Sequence, residues 1–152
     1  MHRFTRSRYP FIRYFFATWL VATATQTLAQ DAALTAAAKE PGAKVTDSGL
    51  VIRMLKEGAG TRPTAASTVK VHYKGTFPDG KEFDSSYKRG QPIEFPLNRV
   101  IKCWTEGVAL MKTGGSAKLT CPSRIAYGES GAGGVIPPNA TLVFEVELLG
   151  VR

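Results

Sequence analysis

An α+β domain, with a curved antiparallel sheet packed against one short helix, is the fold class these 152 residues predict. Three observations predict it. Residues 68–74 and 141–149 alternate apolar and polar side chains with the period of a half-buried strand. Between them, from Asn98 onward, apolar residues recur at helical spacing. Residues 122–140 are punctuated by proline and glycine and form a long irregular loop. A helix with one apolar stripe must bury it, and here only the sheet can cover it.

The elements follow in order. Residues 49–56 are rich in Leu, Val and Ile and read as a strand. In 68–74, Val69, Val71 and Tyr73 share one face, with Lys70, His72 and Lys74 on the other. Pro78-Asp79-Gly80 has turn chemistry, so a hairpin is expected around it. Residues 91–97 form a short extended piece whose prolines place it at an edge or a bulge. Asn98 is the expected N-cap of the helix, which carries Val100, Ile101, Trp104, Val108 and Met111 and stops at Gly114-Gly115. Residues 116–121 alternate again, with Ala117, Leu119 and Cys121 together. In the last strand Leu142, Phe144, Val146 and Leu148 face inward, and Thr141, Val143, Glu145 and Glu147 face outward. Residues 45–152 suffice for one core.

The N-terminus reads as an address. It holds Arg3, Arg6, Arg8 and Arg13 and no acid before Asp31. The apolar run Phe15-Phe16-Ala17-Thr18-Trp19-Leu20-Val21-Ala22 follows, then small and polar residues up to Gln30. This is the pattern of a secretory signal peptide over 1–29, cut after Ala29 or, as the alternative, after Ala24. The apolar run is short for a span, which needs about 20 apolar residues. An uncleaved anchor is the competing reading, and only then is the membrane a partner. Export to an oxidising compartment is the expectation, with a bacterial periplasm fitting a small stand-alone domain. Residues 30–44 are Ala-rich, end in Pro41-Gly42, and are expected to be a flexible leader.

Removing 1–29 changes the charge argument. The formal charge of +8 comes from 20 basic and 12 acidic residues, and four of the basic ones leave with the address. What remains is weakly basic, with no basic stripe interleaved with aromatics, so nucleic acid is not an expected partner. His72 is the single histidine after the address, on the outward face of a strand, and no metal-ligand set is expected. Gly131, Gly133 and Gly134 stand in a Pro-rich loop with no helix behind them, which is not a phosphate cradle. Cys103 lies on the helix and Cys121 on the inward face of the strand it covers. They are either bridged or two buried thiols; a bridge closing 18 positions would contribute about 3 kcal/mol.

Five blocks carry a resemblance: Val71-His72-Tyr73-Lys74-Gly75; Asp79-Gly80-Lys81-Glu82-Phe83-Asp84-Ser85-Ser86; Val100-Ile101-Lys102-Cys103-Trp104-Thr105-Glu106-Gly107; Ile125-Ala126-Tyr127-Gly128; and Ile136-Pro137-Pro138-Asn139-Ala140-Thr141-Leu142-Val143-Phe144 with the strand after it. In this order they resemble the FKBP-type peptidyl-prolyl isomerases and cover the chain from Gly49 onward. The resemblance implies a half-barrel, a five- or six-stranded antiparallel sheet wrapping one short helix. It implies an enzyme that speeds rotation about X–Pro bonds without cofactor or covalent step. Its substrates would be proline-containing unfolded or partly folded polypeptides, with macrolides as potential inhibitors and a monomer as the default state. A proline-peptide binding module or holdase with weak turnover is the alternative.

The resemblance also implies the site. Tyr73, Asp84, Ile101 and Tyr127 would act on the substrate, Ile101 through its backbone N–H and Tyr127 through its hydroxyl, while Asp84 accepts from Tyr73. Phe83, Ile93, Val100, Trp104 and Phe144 would line the proline pocket, with Trp104 as its floor and Val135 and Ile136 as contacts from the loop above. Three departures stand out against the small eukaryotic members: Ile93 for an aromatic wall, Ala132 for a histidine, and Cys103 for a glycine beside the tryptophan.

Overall fold

The computed structural model describes residues 18–152. The order is α1 (Thr18–Ala38), β1 (Ala43–Val45), β2 (Val51–Lys56), β3 (Thr68–Thr76), β4 (Glu82–Ser85), β5 (Ile93–Pro96), α2 (Lys102–Ala109), β6 (Ser116–Cys121) and β7 (Leu142–Val151). Short 3-10 turns stand at Leu97–Arg99 and Ser123–Ile125. All strand pairs are antiparallel, in the spatial order β1-β2-β6-β7-β3-β4, with β5 also paired to β3. The half-barrel is therefore present, with β1 bringing the sheet to seven strands where five or six were expected.

The inward rows are those the alternation predicts. Val69, Val71 and Tyr73 of β3 meet Leu142, Phe144, Val146 and Leu148 of β7 and Ala117, Leu119 and Cys121 of β6 in one core with α2. Thr141, expected to face outward, is buried at the start of this strand. The helix sits close on the sheet because it carries Gly107: a Cβ there would lie 2.9 Å from both terminal methyls of Leu119.

The free edge of β3 is shared between two strands. Thr68 to Val71 pair with β5, and Lys74 to Thr76 pair with β4. His72 and Tyr73 fall in the interval, where the Ser86 hydroxyl accepts the Tyr73 N–H at 2.8 Å and the Ser86 N–H donates to the Tyr73 carbonyl at 3.0 Å. The inward-facing Tyr73 thus stands at a break in the sheet.

Asn98 does not cap the helix. Once the chain leaves β5 at Pro96 it first makes the 3-10 turn that buries Leu97, and Asn98 lies inside that turn. α2 begins at Lys102 behind Ile101, with no side-chain cap. The turn and helix are tied by the Thr105 hydroxyl, which donates to the Leu97 carbonyl at 2.5 Å. The helix ends at Ala109, short of Met111.

The segment 30–44, expected as a flexible leader, carries the end of α1 and the first two residues of β1. Alanine favours helix, and Gly42, at φ +79°, turns the chain so that β1 pairs with β2. Glu40 anchors this return: its carboxylate lies 2.7 Å from Lys118 Nζ and 3.2 Å from Arg53 Nε. The basic residues Arg3, Arg6, Arg8 and Arg13 lie outside the described residues, and the positions Ala24 and Ala29 fall within α1. No described helix is long and apolar enough to cross a membrane.

Cys103 and Cys121 are bridged, with Cα atoms 5.9 Å apart and both residues fully buried. The bridge ties the first turn of α2 to the end of β6. Replacing both cysteines by alanine is expected to lower the unfolding free energy by about 3 kcal/mol. Urea denaturation of the pair variant and the oxidised wild type measures it; equal midpoints would refute it.

Candidate active site

Between α2, the β3 break and the mouth of β4 and β5 lies a cavity of about 520 Å³. Its walls include Tyr73, Phe83, Asp84, Ile93, Val100, Ile101, Trp104, Tyr127 and Phe144. Nine of the eleven residues named from the sequence are thus brought together. Val135 and Ile136 do not line this cavity: Val135 is 56% exposed on the loop and Ile136 is buried in the core. A five-position Gly-rich turn, closed by Ala132 bonding to Ile136 in both directions, holds these two residues on another side of the loop.

Trp104 is the hub. The rings of Tyr73, Phe95 and Phe144 stand around it with centroids 5.1, 5.3 and 5.3 Å away, at interplanar angles of 86°, 52° and 89°. Phe83 packs edge-on to Phe144 at 5.7 Å. Edge-to-face contacts orient Tyr73, Phe83 and Phe144, and Phe95 packs tilted on Trp104, so the rings pack into a defined pocket. Gly75, the next inward position of β3 after Tyr73, leaves room for this: a Cβ there would sit 2.6 Å from the Phe83 ring. The Trp104 indole N–H is buried without a hydrogen-bond partner among the described residues. An unpaired buried donor is uncommon.

One side of the pocket is polar. The Tyr73 hydroxyl donates to one Asp84 carboxylate oxygen, and the Arg89 guanidinium donates to the other. Arg89 also donates to the Tyr73 oxygen at 3.0 Å and lies 5.6 Å from the centre of its ring. Burial pushes the Asp84 carboxyl upward, but the Tyr73 hydroxyl and the Arg89 guanidinium pull harder the other way, leaving it below the ordinary aspartate value. Burial, and then the neighbouring carboxylate, holds the Tyr73 phenol above its ordinary value, with Arg89 opposing. Tyr73 therefore remains a donor and Asp84 an anion across the neutral range.

Phe95, Arg99 and Arg89 were not named from the sequence. Phe95 lines the cavity beside Ile93 although they are two positions apart on β5, because both face the same side of a strand. The alternation of 91–97 could have revealed it. Nothing local marks Arg89, which reaches Asp84 only because the loop after β4 returns to the break in β3.

Comparison with known proteins agrees with this architecture. Residues 60–149 match the domain family of FKBP-type peptidyl-prolyl cis-trans isomerases. The chain is 56% identical over 119 residues to the FKBP-type peptidyl-prolyl cis-trans isomerase FkpA of Aeromonas hydrophila, covering 78% of this chain and 44% of that one. It is 57% identical over 103 residues to FK506-binding protein 1 of Dictyostelium discoideum, covering 66% of this chain and 96% of that protein. Among solved structures, FkpA from Escherichia coli superposes with TM-score 0.83 at 46% identity, covering 88% of this chain and 62% of that one. A peptidyl-prolyl cis-trans isomerase from Pseudomonas syringae gives TM-score 0.79 at 39% identity, covering 86% and 96%. The aligned region spans 44% of the curated FkpA of Aeromonas hydrophila and 42% of that of Escherichia coli.

The fold is a curved sheet closed on one helix, with an aromatic pocket between them. This chain belongs to the family of FKBP-type peptidyl-prolyl cis-trans isomerases.

The depressed Asp84 value gives a signed prediction. A carboxylate held low in the folded state stabilises the fold fully above its unfolded value and loses that contribution as pH falls through the folded value. The stability gap between wild type and Asp84→Asn is therefore constant from neutral pH to about 5 and narrows below about 4. Urea midpoints across that range measure it; a gap that narrows nowhere below about pH 4 would contradict the network.

Proposed function

We propose that this chain accelerates cis–trans rotation about X–Pro bonds in exported, proline-containing polypeptides. The observation that carries the reading is the pocket of Tyr73, Phe83, Phe95 and Phe144 around Trp104, beside an ionised Asp84. The barrier to X–Pro rotation is about 18–20 kcal/mol because twisting the amide breaks its resonance. No bond to the substrate has to form. The protein must hold the twisted amide more tightly than either planar form.

The residues divide that work. The proline ring sits on Trp104 between the aromatic walls, with water displaced around it. A twisted amide has less charge separation than a planar one, so an apolar pocket disfavours it less. The Ile101 N–H, at the start of α2, has no backbone acceptor among the described residues; it donates to a substrate carbonyl. Tyr127, 40% exposed at the lip, offers its hydroxyl to a second carbonyl. Asp84, fixed by Tyr73 and Arg89, presents negative charge at the pocket edge and keeps the Tyr73 ring upright. Macrolides that place a proline-like ring on Trp104 would compete for the same pocket, with Ile93 offering them less surface than an aromatic wall.

Export rests on two supports. One is the N-terminal order of basic, apolar and small residues. The other is the Cys103–Cys121 bridge, since disulfides are rare in a reducing cytosol and common in exported proteins. On this reading the mature chain begins at Gln30 or Thr25 and acts in a bacterial periplasm as a monomer. N-terminal sequencing of the protein from that compartment checks the cut; a chain starting at Met1 would replace it with an anchor.

The decisive assay follows isomerisation of a short Leu-Pro peptide by exchange NMR. Wild type is expected to shorten the uncatalysed time of tens to hundreds of seconds. Trp104→Ala and Asp84→Ala, with folding checked by circular dichroism, are each expected to lower kcat/KM at least about tenfold. Saturable peptide binding with no acceleration would instead make the chain a proline-peptide binding module.

A further inference from the structure

The proline pocket carries a charge that its own walls do not balance. The charged side chains of its lining are Asp84 and Arg99. Asp84 is answered in place, since the Arg89 guanidinium donates to its carboxylate. Arg99 has no such partner: among the described residues it enters no side-chain hydrogen bond and no ion pair. The acid nearest to it along the chain, Glu94, is paired with Arg152. Glu94 also lies on the opposite face of β5 from Ile93 and Phe95, the two residues of that strand that line the pocket.

The local structure explains why this cation stands at the rim. Leu97–Arg99 is a 3-10 turn of three residues, and Leu97 is fully buried. Side chains two positions apart in such a turn diverge, so burying Leu97 leaves Arg99 exposed. Val100 then runs extended into Ile101, behind which α2 begins. The first residue of α2, Lys102, is a second exposed cation without a partner among the described residues, and no acid stands in the first turn. The Ile101 N–H offered to a substrate carbonyl is therefore flanked along the chain by two unbalanced positive charges. Apolar walls such as Ile93 and Phe95 focus the field of a charge at their edge.

We infer that Arg99, supported by Lys102, is a specificity residue: the protein favours prolines with an aspartate or glutamate within two residues, on the side whose carbonyl meets the Ile101 N–H. The inference rests on the isomerase reading, since the acidic side chain belongs to the chain whose proline fills the pocket. That side chain keeps its charge in the planar and twisted forms alike. The preference therefore acts on binding, in KM, and leaves kcat alone.

The test uses acetylated, amidated Leu-Pro hexapeptides whose one variable side chain is Glu, Gln or Lys, placed two residues before the proline or directly after it. Exchange NMR gives kcat and KM for each. At low salt, wild type is expected to favour Glu over Lys about fivefold in KM at one of the two positions, with Gln between. Arg99→Lys is expected to keep that ratio, Arg99→Gln to bring it close to one, and Arg99→Glu to invert it. Lys44→Glu makes the same change of net charge on β1, at the opposite end of the sheet from β4, and is expected to keep the wild-type ratio. Salt at about 1 M, where the screening length is about 3 Å, is expected to shrink the ratio. A wild-type ratio near one at both positions, or a ratio that Lys44→Glu moves as far as Arg99→Glu does, would overturn the inference. Calorimetric titration with the same peptides is read in parallel. A preference for Glu in Kd that Arg99→Glu inverts, with no acceleration of any peptide, would keep the role of Arg99 and sink the isomerase reading. Acceleration without charge preference would do the reverse, and neither binding nor acceleration would sink both.

Discussion

A strand edge offers one row of hydrogen-bonding groups, and β3 divides that row between two partners. Its first half pairs with β5 and its second half with β4, so neither covers His72 and Tyr73. The pocket exists because of this division. If one long strand paired all of β3, the inward face at Tyr73 would be closed by a neighbouring side chain. As it is, Ser86 satisfies the Tyr73 backbone at the gap, and Tyr73, Asp84 and Arg89 meet where the sheet opens.

The helix has a matching constraint. α2 is only Lys102–Ala109, too short to be stable alone, and its position comes from packing and ties. Gly107 lets it approach Leu119, Thr105 holds it to the turn at Leu97, and the Cys103–Cys121 bridge fixes its first turn to β6. Trp104 sits one residue after Cys103. The ring that forms the pocket floor is thus held from the sheet side by the bridge and from the pocket side by three aromatic rings.

The polar groups are arranged so that charge stays at the rim. Asp84 keeps its charge because Tyr73 and Arg89 together outweigh its partial burial. The floor at Trp104 and the rings around it are apolar, and the charged side chains of the lining are Asp84 and Arg99. The same economy appears at the other end of the chain, where one carboxylate, Glu40, anchors the return from α1 to β1 through Lys118 and Arg53.

Much of this was legible in the sequence. Period-two alternation located β3, β6 and β7 and their inward faces, because one buried face imposes that pattern on the residues themselves. The blocks around Tyr73, Asp84, Trp104, Tyr127 and Phe144 pointed to the pocket, and those residues do converge. Local signals failed where long-range geometry overrode them. Asn98 has the chemistry of a cap, but burying Leu97 demanded a 3-10 turn first. Residues 30–44 have the composition of a leader, yet Glu40 meets two cations that lie 13 and 78 positions away. Arg89 bears no mark of function until the break in β3 brings Asp84 beside it. The cysteines could be bridged or free by sequence alone, since a bridge depends on a Cα separation that only folding sets, here 5.9 Å. Hydrophobic periodicity is written residue by residue and so determined the sheet, the helix and their buried faces. The pocket's polar rim, the bridge and the side of the loop on which Val135 lies are distances between segments, and only the tertiary structure decided them.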